Sequence, residues 1–203
     1  MISNRYPAGR LRTAPAPVTE EDRVFMFLDI RSSTRLAESL GSVRYFHLLR
    51  DFVQDLSPVI TACEGQIYQY AGDQIVVSWP MEGKSCCLNC FFEAADTLDS
   101  RRHLYMDRYG VCPEFKAAIH GGTVCRGHIG AGRQEWIYAG DVLNTTSRIE
   151  ELCNELNTNI LISEVVASQL PPEVAYILTS VGVFQLRGRQ AAVELFTVAR
   201  DGQ

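Results

Sequence analysis

The chain has 203 residues, 46% of them hydrophobic and 21% charged, with a formal net charge of −5. That length suits one domain with a short appendage. The acidic balance excludes a broad basic surface for nucleic acid, and no apolar run approaches the roughly 18–20 residues that span a bilayer. The N-terminus lacks a hydrophobic core of signal-peptide type, so the expectation is a soluble, cytoplasmic protein. The seven cysteines are an odd count, which argues for reduced thiols. Cys87 and Cys90 have CxxC spacing, and Cys86 and Cys90 are four apart. With no second CxxC or histidine pair beside them, they read as buried small hydrophobes.

Residues 1–22 carry Pro7, Pro15 and Pro17 with Arg5, Arg10 and Arg12, and read as a flexible arm or linker. Its functional reading is a tether to an upstream regulatory or membrane module. A domain over 23–200 follows. VFMFLDI (24–30) is a buried strand, and SSTRLAESL after it offers hydroxyl caps and a helical stripe. Residues 45–63 have the three- and four-residue apolar spacing of a helix. QIYQY (66–70) and QIVVSW (74–79) flank Ala-Gly-Asp and form a hairpin. One long helix is expected over 84–109, ending at Gly110. FKAAIH (115–120) and TVCRGHIG (123–130) read as two strands around Gly121-Gly122. Residues 142–154 form a helix with a polar face, NILIS (159–163) a strand, and 163–170 a short helix. Three strand-like pieces, VAYIL, VFQLRG and VELFTV, close the chain. The order gives an α+β fold: a ferredoxin-like βαββαβ core with extra αβ elements, helices flanking an antiparallel-rich sheet.

Four groups of residues carry chemistry. Asp29 ends a buried strand and Asp73 sits at the hairpin, and the βαββ order brings both to one sheet edge. Two close carboxylates repel unless a proton or cation lies between them, which suits Mg²⁺ or Mn²⁺ with phosphate. The alternative is that Asp29 caps the next helix and Asp73 makes a turn. Ser32, Ser33 and Thr34 follow Asp29 at a strand-to-helix turn, as a phosphate cradle or an N-cap. Asn144 and Arg148, four apart, share one helix face that either clamps phosphate and sugar or is merely solvated. Arg187-Gly188-Arg189 is a clamp for distal phosphates or a basic loop. His120 reads as a structural histidine.

Together these segments resemble the catalytic domain of class III nucleotidyl cyclases, the adenylate and guanylate cyclase family. FLDIRSST resembles its first metal-aspartate segment and QYAGDQIVV its second. AAIHGG, GDVLNTTSRIE and LRG follow in family order, over about residues 23–198. The resemblance implies two divalent cations, Mg²⁺ or Mn²⁺, held by Asp29, Asp73 and the backbone carbonyl of Ile30. It implies that Asn144 orients the ribose, that Arg148 stabilises charge on the α-phosphate, and that Arg187 grips the triphosphate. It also implies a head-to-tail homodimer whose sites take the aspartates from one subunit and Asn144 and Arg148 from the other. The base-reading positions are Gln69 and Ile137, which match neither the adenylate nor the guanylate pattern. ATP is the favoured substrate, with GTP, CTP and UTP as alternatives. Rival readings are a diguanylate-cyclase-like palm and a catalytically silent dimerisation or sensing module.

The tetrapeptide YAGD occurs twice, at 70–73 and 138–141. The first copy lies at the hairpin and the second leads a helix, so the two aspartates have different jobs: Asp73 is the metal candidate and Asp141 a helix-end anion.

Overall fold

The computed structural model describes residues 17–82, 85–129, 135–171, 176–189 and 191–200. The elements run β1 (Thr19–Ile30), α1 (Ser33–Leu40), α2 (Ser42–Ala62), β2 (Gln66–Ala71), β3 (Gln74–Pro80), α3 (Ser85–Ser100) and α4 (Arg102–Tyr109). Then come β4 (Phe115–Ile129), β5 (Glu135–Ala139), α5 (Asp141–Glu155), β6 (Ile160–Ser163), α6 (Glu164–Ala167), β7 (Tyr176–Phe184) and β8 (Val193–Arg200). The strands form one sheet in the order β2-β3-β1-β4-β6-β8-β7, with β5 paired to β4. Only the β4–β6 pair is parallel. This is the expected antiparallel-rich α+β architecture, with β1 between β3 and β4.

The alternation of β1 decides what lies on each face of the sheet. Val24, Met26, Leu28 and Ile30 enter the main core with Ile75, Val77 and Trp79. The apolar stripe of α2, Leu48, Phe52, Leu56 and Ile60, closes that core from above, each residue fully buried. Phe25 and Phe27 face the other side, against Val76, Val124 and Val142 of α5. Asp29 continues this odd-numbered row, so it emerges on the α5 side of the sheet rather than in the main core.

Several boundaries differ from the sequence reading. β1 starts at Thr19 because Thr19–Asp22 pair with Arg126–Thr123 of β4. Residues 1–16 of the expected arm lie outside the described residues. The long helix is broken at Arg101, whose φ of −97° and ψ of 3° separate α3 from α4. β4 runs unbroken through Gly121-Gly122. A Cβ at Gly121 would come within 2.8 Å of Met81, so this glycine serves close packing instead of a turn. β5, absent from the sequence reading, pairs with the outer half of β4. Leu186-Arg187-Gly188 belongs to a turn, not to a strand. No helix among the described residues is long and apolar enough to cross a membrane.

Candidate active site

β1 and the β2–β3 hairpin bring Asp29 and Asp73 together, as the strand order requires. Asp73 is close enough for its charge to act on the Asp29 carboxyl. Burial, then the charges of Asp73 and Glu150, raises Asp29 to about 7, while Lys116 opposes the shift. Asp29 therefore resists ionising beside Asp73, and a cation close to the pair would relieve that repulsion. The loop between the paired residues Ala71 and Gln74 is Gly72-Asp73, and Gly72 has φ +67°. A positive φ at the first loop position is the type II′ pattern that glycine supplies. Space is not the reason, since a Cβ there would meet nothing within 4 Å.

The third candidate ligand is fixed by a neighbouring hydrogen bond. The backbone N–H of Arg31 donates to Glu114 O at 2.8 Å, on the β4 side of β1. In a trans peptide the C=O points opposite to the N–H. The Ile30 carbonyl of that same peptide therefore turns away from β4, towards β3 and the hairpin that carries Asp73. The Arg31 side chain braces this turn: Nε donates to Asn159 Oδ1 at 2.6 Å and Nη2 donates to Thr158 O.

Beyond Arg31 the chain enters α1 through Ser32, whose φ of 53° and ψ of 33° are left-handed and whose side chain makes no capping bond. The N–H groups of the first helical turn, from Ser33 and Thr34 onward, have no partner within the helix. Tyr45 of α2 reaches the same place. Burial and then the Asp73 charge hold its hydroxyl above its ordinary range.

A second cluster forms around α5. Asn144 is exposed and Arg148 half-buried. The Arg148 guanidinium lies against the turn after Leu186: a Cβ on Gly188 would sit 3.5 Å from its Nη2. Arg148 and the exposed Arg187 thereby border one patch with Asn144 one helical turn away. Arg189 is engaged elsewhere, in a 2.9 Å ion pair with Asp141, which also accepts from Thr145 at 3.2 Å. Asp141 is thus a helix-start anion, as read from its sequence context. Among the described residues, no hydrogen bond or ion pair joins Asp29 or Asp73 to Asn144 or Arg148.

Gln69 is exposed on β2, the edge strand. Ile137 is half-buried on β5, opposite Gly127. Next to them, Tyr68 and Tyr138 pack edge to face at 5.1 Å, and Tyr138 does so with Phe25 at 5.3 Å. The Tyr138 N–H donates to the Tyr68 hydroxyl at 3.1 Å. Tyr68 is therefore turned inward, whereas Tyr70 stays exposed. His120 is buried, with Nδ1 2.7 Å from Ser163 Oγ, and burial followed by Arg189 lowers it to about 4.

With this geometry in hand, comparison with known proteins places the chain. The family model for the adenylate and guanylate cyclase catalytic domain matches residues 17–199. The chain belongs to the adenylate and guanylate cyclase family. Adenylate cyclase 2 of Rhizobium meliloti (strain 1021) is 34% identical over 173 residues, which cover 84% of this chain and 48% of that protein. An adenylate cyclase of Anabaena cylindrica is 28% identical over 85% of this chain and 36% of its own length. The chain thus spans about half the length, or less, of these relatives. The fold matches the adenylyl cyclase CyaB from P. aeruginosa with a TM-score of 0.79 at 19% identity, covering 90% of this chain and 96% of that one. It matches the guanylyl cyclase Cya2 with a TM-score of 0.79 at 22% identity, covering 94% and 96%.

For a cyclase domain, the donor set fits hard divalent cations, which take carboxylate and carbonyl oxygens. Among the described residues, no group of three or more His, Cys, Asp or Glu is arranged to hold a metal. Two carboxylates alone would leave most of such a cation's roughly six or more coordination positions to other oxygen donors. Sequence reasoning missed Lys116, Glu150, Arg31 and Tyr45. The available signal was a lysine inside the apolar strand FKAAIH, and a glutamate on the sheet-facing side of α5 beside Ile149.

Proposed function

We propose that this domain is a nucleotidyl cyclase that converts a nucleoside triphosphate, with ATP favoured, to the 3′,5′-cyclic monophosphate and pyrophosphate. The observation that supports this is Asp29 beside Asp73, its carboxyl pushed up by burial and then by the Asp73 charge, with the Ile30 carbonyl turned away from β4. The adenylate cyclases among its relatives favour ATP. Gln69 supplies both a donor and an acceptor to a base edge, and Ile137 supplies neither.

In this reading Asp29, Asp73 and the Ile30 carbonyl hold two divalent cations. When bound, those ions supply Lewis-acid activation of the ribose 3′-OH and charge neutralisation on the triphosphate. The N–H groups after Ser32 cradle phosphate oxygens. Asn144 orients the ribose ring, and Arg148 stabilises the charge that builds on the α-phosphate. Arg187 grips the distal phosphates. The two clusters lie unjoined within one chain, which supports sites assembled between two subunits in a head-to-tail homodimer. A regulatory module outside this chain belongs to the same reading, since the relatives are longer than this chain.

The test is purified protein with Mn²⁺ and each of ATP, GTP, CTP and UTP, the cyclic products identified by mass. Asp73→Ala and Arg148→Ala are each expected to be inactive and to regain activity when mixed, through one repaired site per heterodimer. Heterodimers that form yet stay inactive would refute the shared site, and full activity in Asp73→Ala would refute the metal assignment.

A further inference from the structure

Lys116 and Asp29 are direct cross-strand partners on β4 and β1. The Lys116 ammonium lies 3.4 Å from Asp29 Oδ2 and forms an ion pair with Glu150 Oε1 of α5. The side chains of Lys116 and Glu150 are 6% and 8% exposed. A buried ion pair of this kind is weak support for stability, since apolar residues of similar size do as well. The third group, Asp29, gives the pair a different purpose.

The inference rests on the two-metal reading above. We propose that Lys116, held by Glu150, is a positioning residue that fixes the Asp29 carboxylate for cation binding. Left to itself, Asp29 would be pushed away from Asp73 by like charge. The ammonium takes one lone pair of Oδ2. Oδ1 and the remaining lone pair of Oδ2 stay available, because a carboxylate offers about four acceptor sites. The ammonium has an anionic partner on each side, Glu150 on α5 and Asp29 on β1. Glu150 stands two residues after Arg148 on α5. The same lysine therefore sets the metal strand in register with the helix that bears Asn144 and Arg148. The Arg31 clamp on Thr158 and Asn159, just beyond α5, is a second tie in the same direction.

The test is Mn²⁺ binding to the full chain, read from the free-Mn²⁺ electron paramagnetic resonance signal, so it does not depend on turnover. Asp73→Ala marks which binding belongs to this site. The double variant Lys116→Met/Glu150→Gln removes one positive and one negative charge, leaving the local balance unchanged. We expect its Mn²⁺ Kd to rise about tenfold, roughly 1.4 kcal/mol. Its melting temperature should stay near the parent's, and Lys116→Arg should recover most of the affinity. A parent-like Kd in the folded double variant overturns the proposal and leaves an ordinary core ion pair. Should the double variant fail to fold, Glu150→Gln decides. It keeps a paired lysine but hands the ammonium to Asp29 alone, where it competes with the cation. Weaker Mn²⁺ binding is expected there, and a parent-like Kd refutes the inference. A parent that binds Mn²⁺ through Asp73 but forms no cyclic product fails as a cyclase, while the positioning role still stands or falls on the binding data.

Discussion

Gly188 and Arg148 are in van der Waals register: the glycine backbone, at φ +75°, lies where an added Cβ would be 3.5 Å from the Arg148 guanidinium. Gly188→Ala places a methyl group against that cation and strains a left-handed residue by about 1–2 kcal/mol. We expect kcat to fall about tenfold while Mn²⁺ binding is unchanged, because Asp29 and Asp73 lie elsewhere. Initial rates beside a Mn²⁺ titration check this. An equal loss in both would place the glycine in a general folding role.

The raised Asp29 predicts how metal demand follows pH. Its folded value of about 7 lies above the ordinary 3.8. The proton on Asp29 therefore favours the folded state fully below pH 4 and is lost as pH rises through 7. A cation must displace that proton below pH 7. Apparent Mn²⁺ affinity should weaken about tenfold per pH unit below 7 and level off above. The Mn²⁺-induced rise in melting temperature should be larger at pH 8 than at pH 6, and equal shifts would contradict the assignment.

His120 has the opposite sign. Lowered to about 4 by burial first and Arg189 second, it contributes stability that is complete above its ordinary 6.5 and is lost as pH falls towards 4. The stability difference between the parent and His120→Gln should shrink by about 2 kcal/mol between pH 7 and pH 5. Urea melts at the two pH values measure it, and a constant difference would mean that His120 titrates normally.

Tyr68→Phe keeps the ring in its aromatic cluster but removes the acceptor for the Tyr138 N–H. That donor is partly buried and belongs to β5, a strand paired on one side only. The expected cost is about 1 kcal/mol in a denaturant melt, with product identity unchanged. A neutral substitution would show that water serves the donor equally well.

Much of the fold was legible because its signals are local. The run VFMFLDI, the α2 stripe from Leu48 to Ile60 and the glycine at the hairpin each announce themselves over a few residues. The meeting of Asp29 with Asp73 followed from strand order alone. What escaped depends on contacts between distant segments. Gly121 looked like a turn because the side chain that fills its space, Met81, is forty residues earlier. Lys116 and Glu150 are 34 residues apart, and each alone resembles a stray charge on an apolar element. Arg31 fixes the Ile30 carbonyl through its backbone, which no side-chain pattern records.

Asp29 and Asp73 are mounted differently. Asp29 closes a strand hydrogen-bonded on both sides, deep in the sheet. Asp73 rides a two-residue loop whose outer strand, β2, has a neighbour on one side only. Asp29 thus lies within the sheet, and Asp73 at the tip of the hairpin that ends it. If the site takes a triphosphate as proposed, a shift of the Gly72-Asp73 loop would move one carboxylate and leave the other in place. That loop joins two short strands, β2 of six residues and β3 of seven.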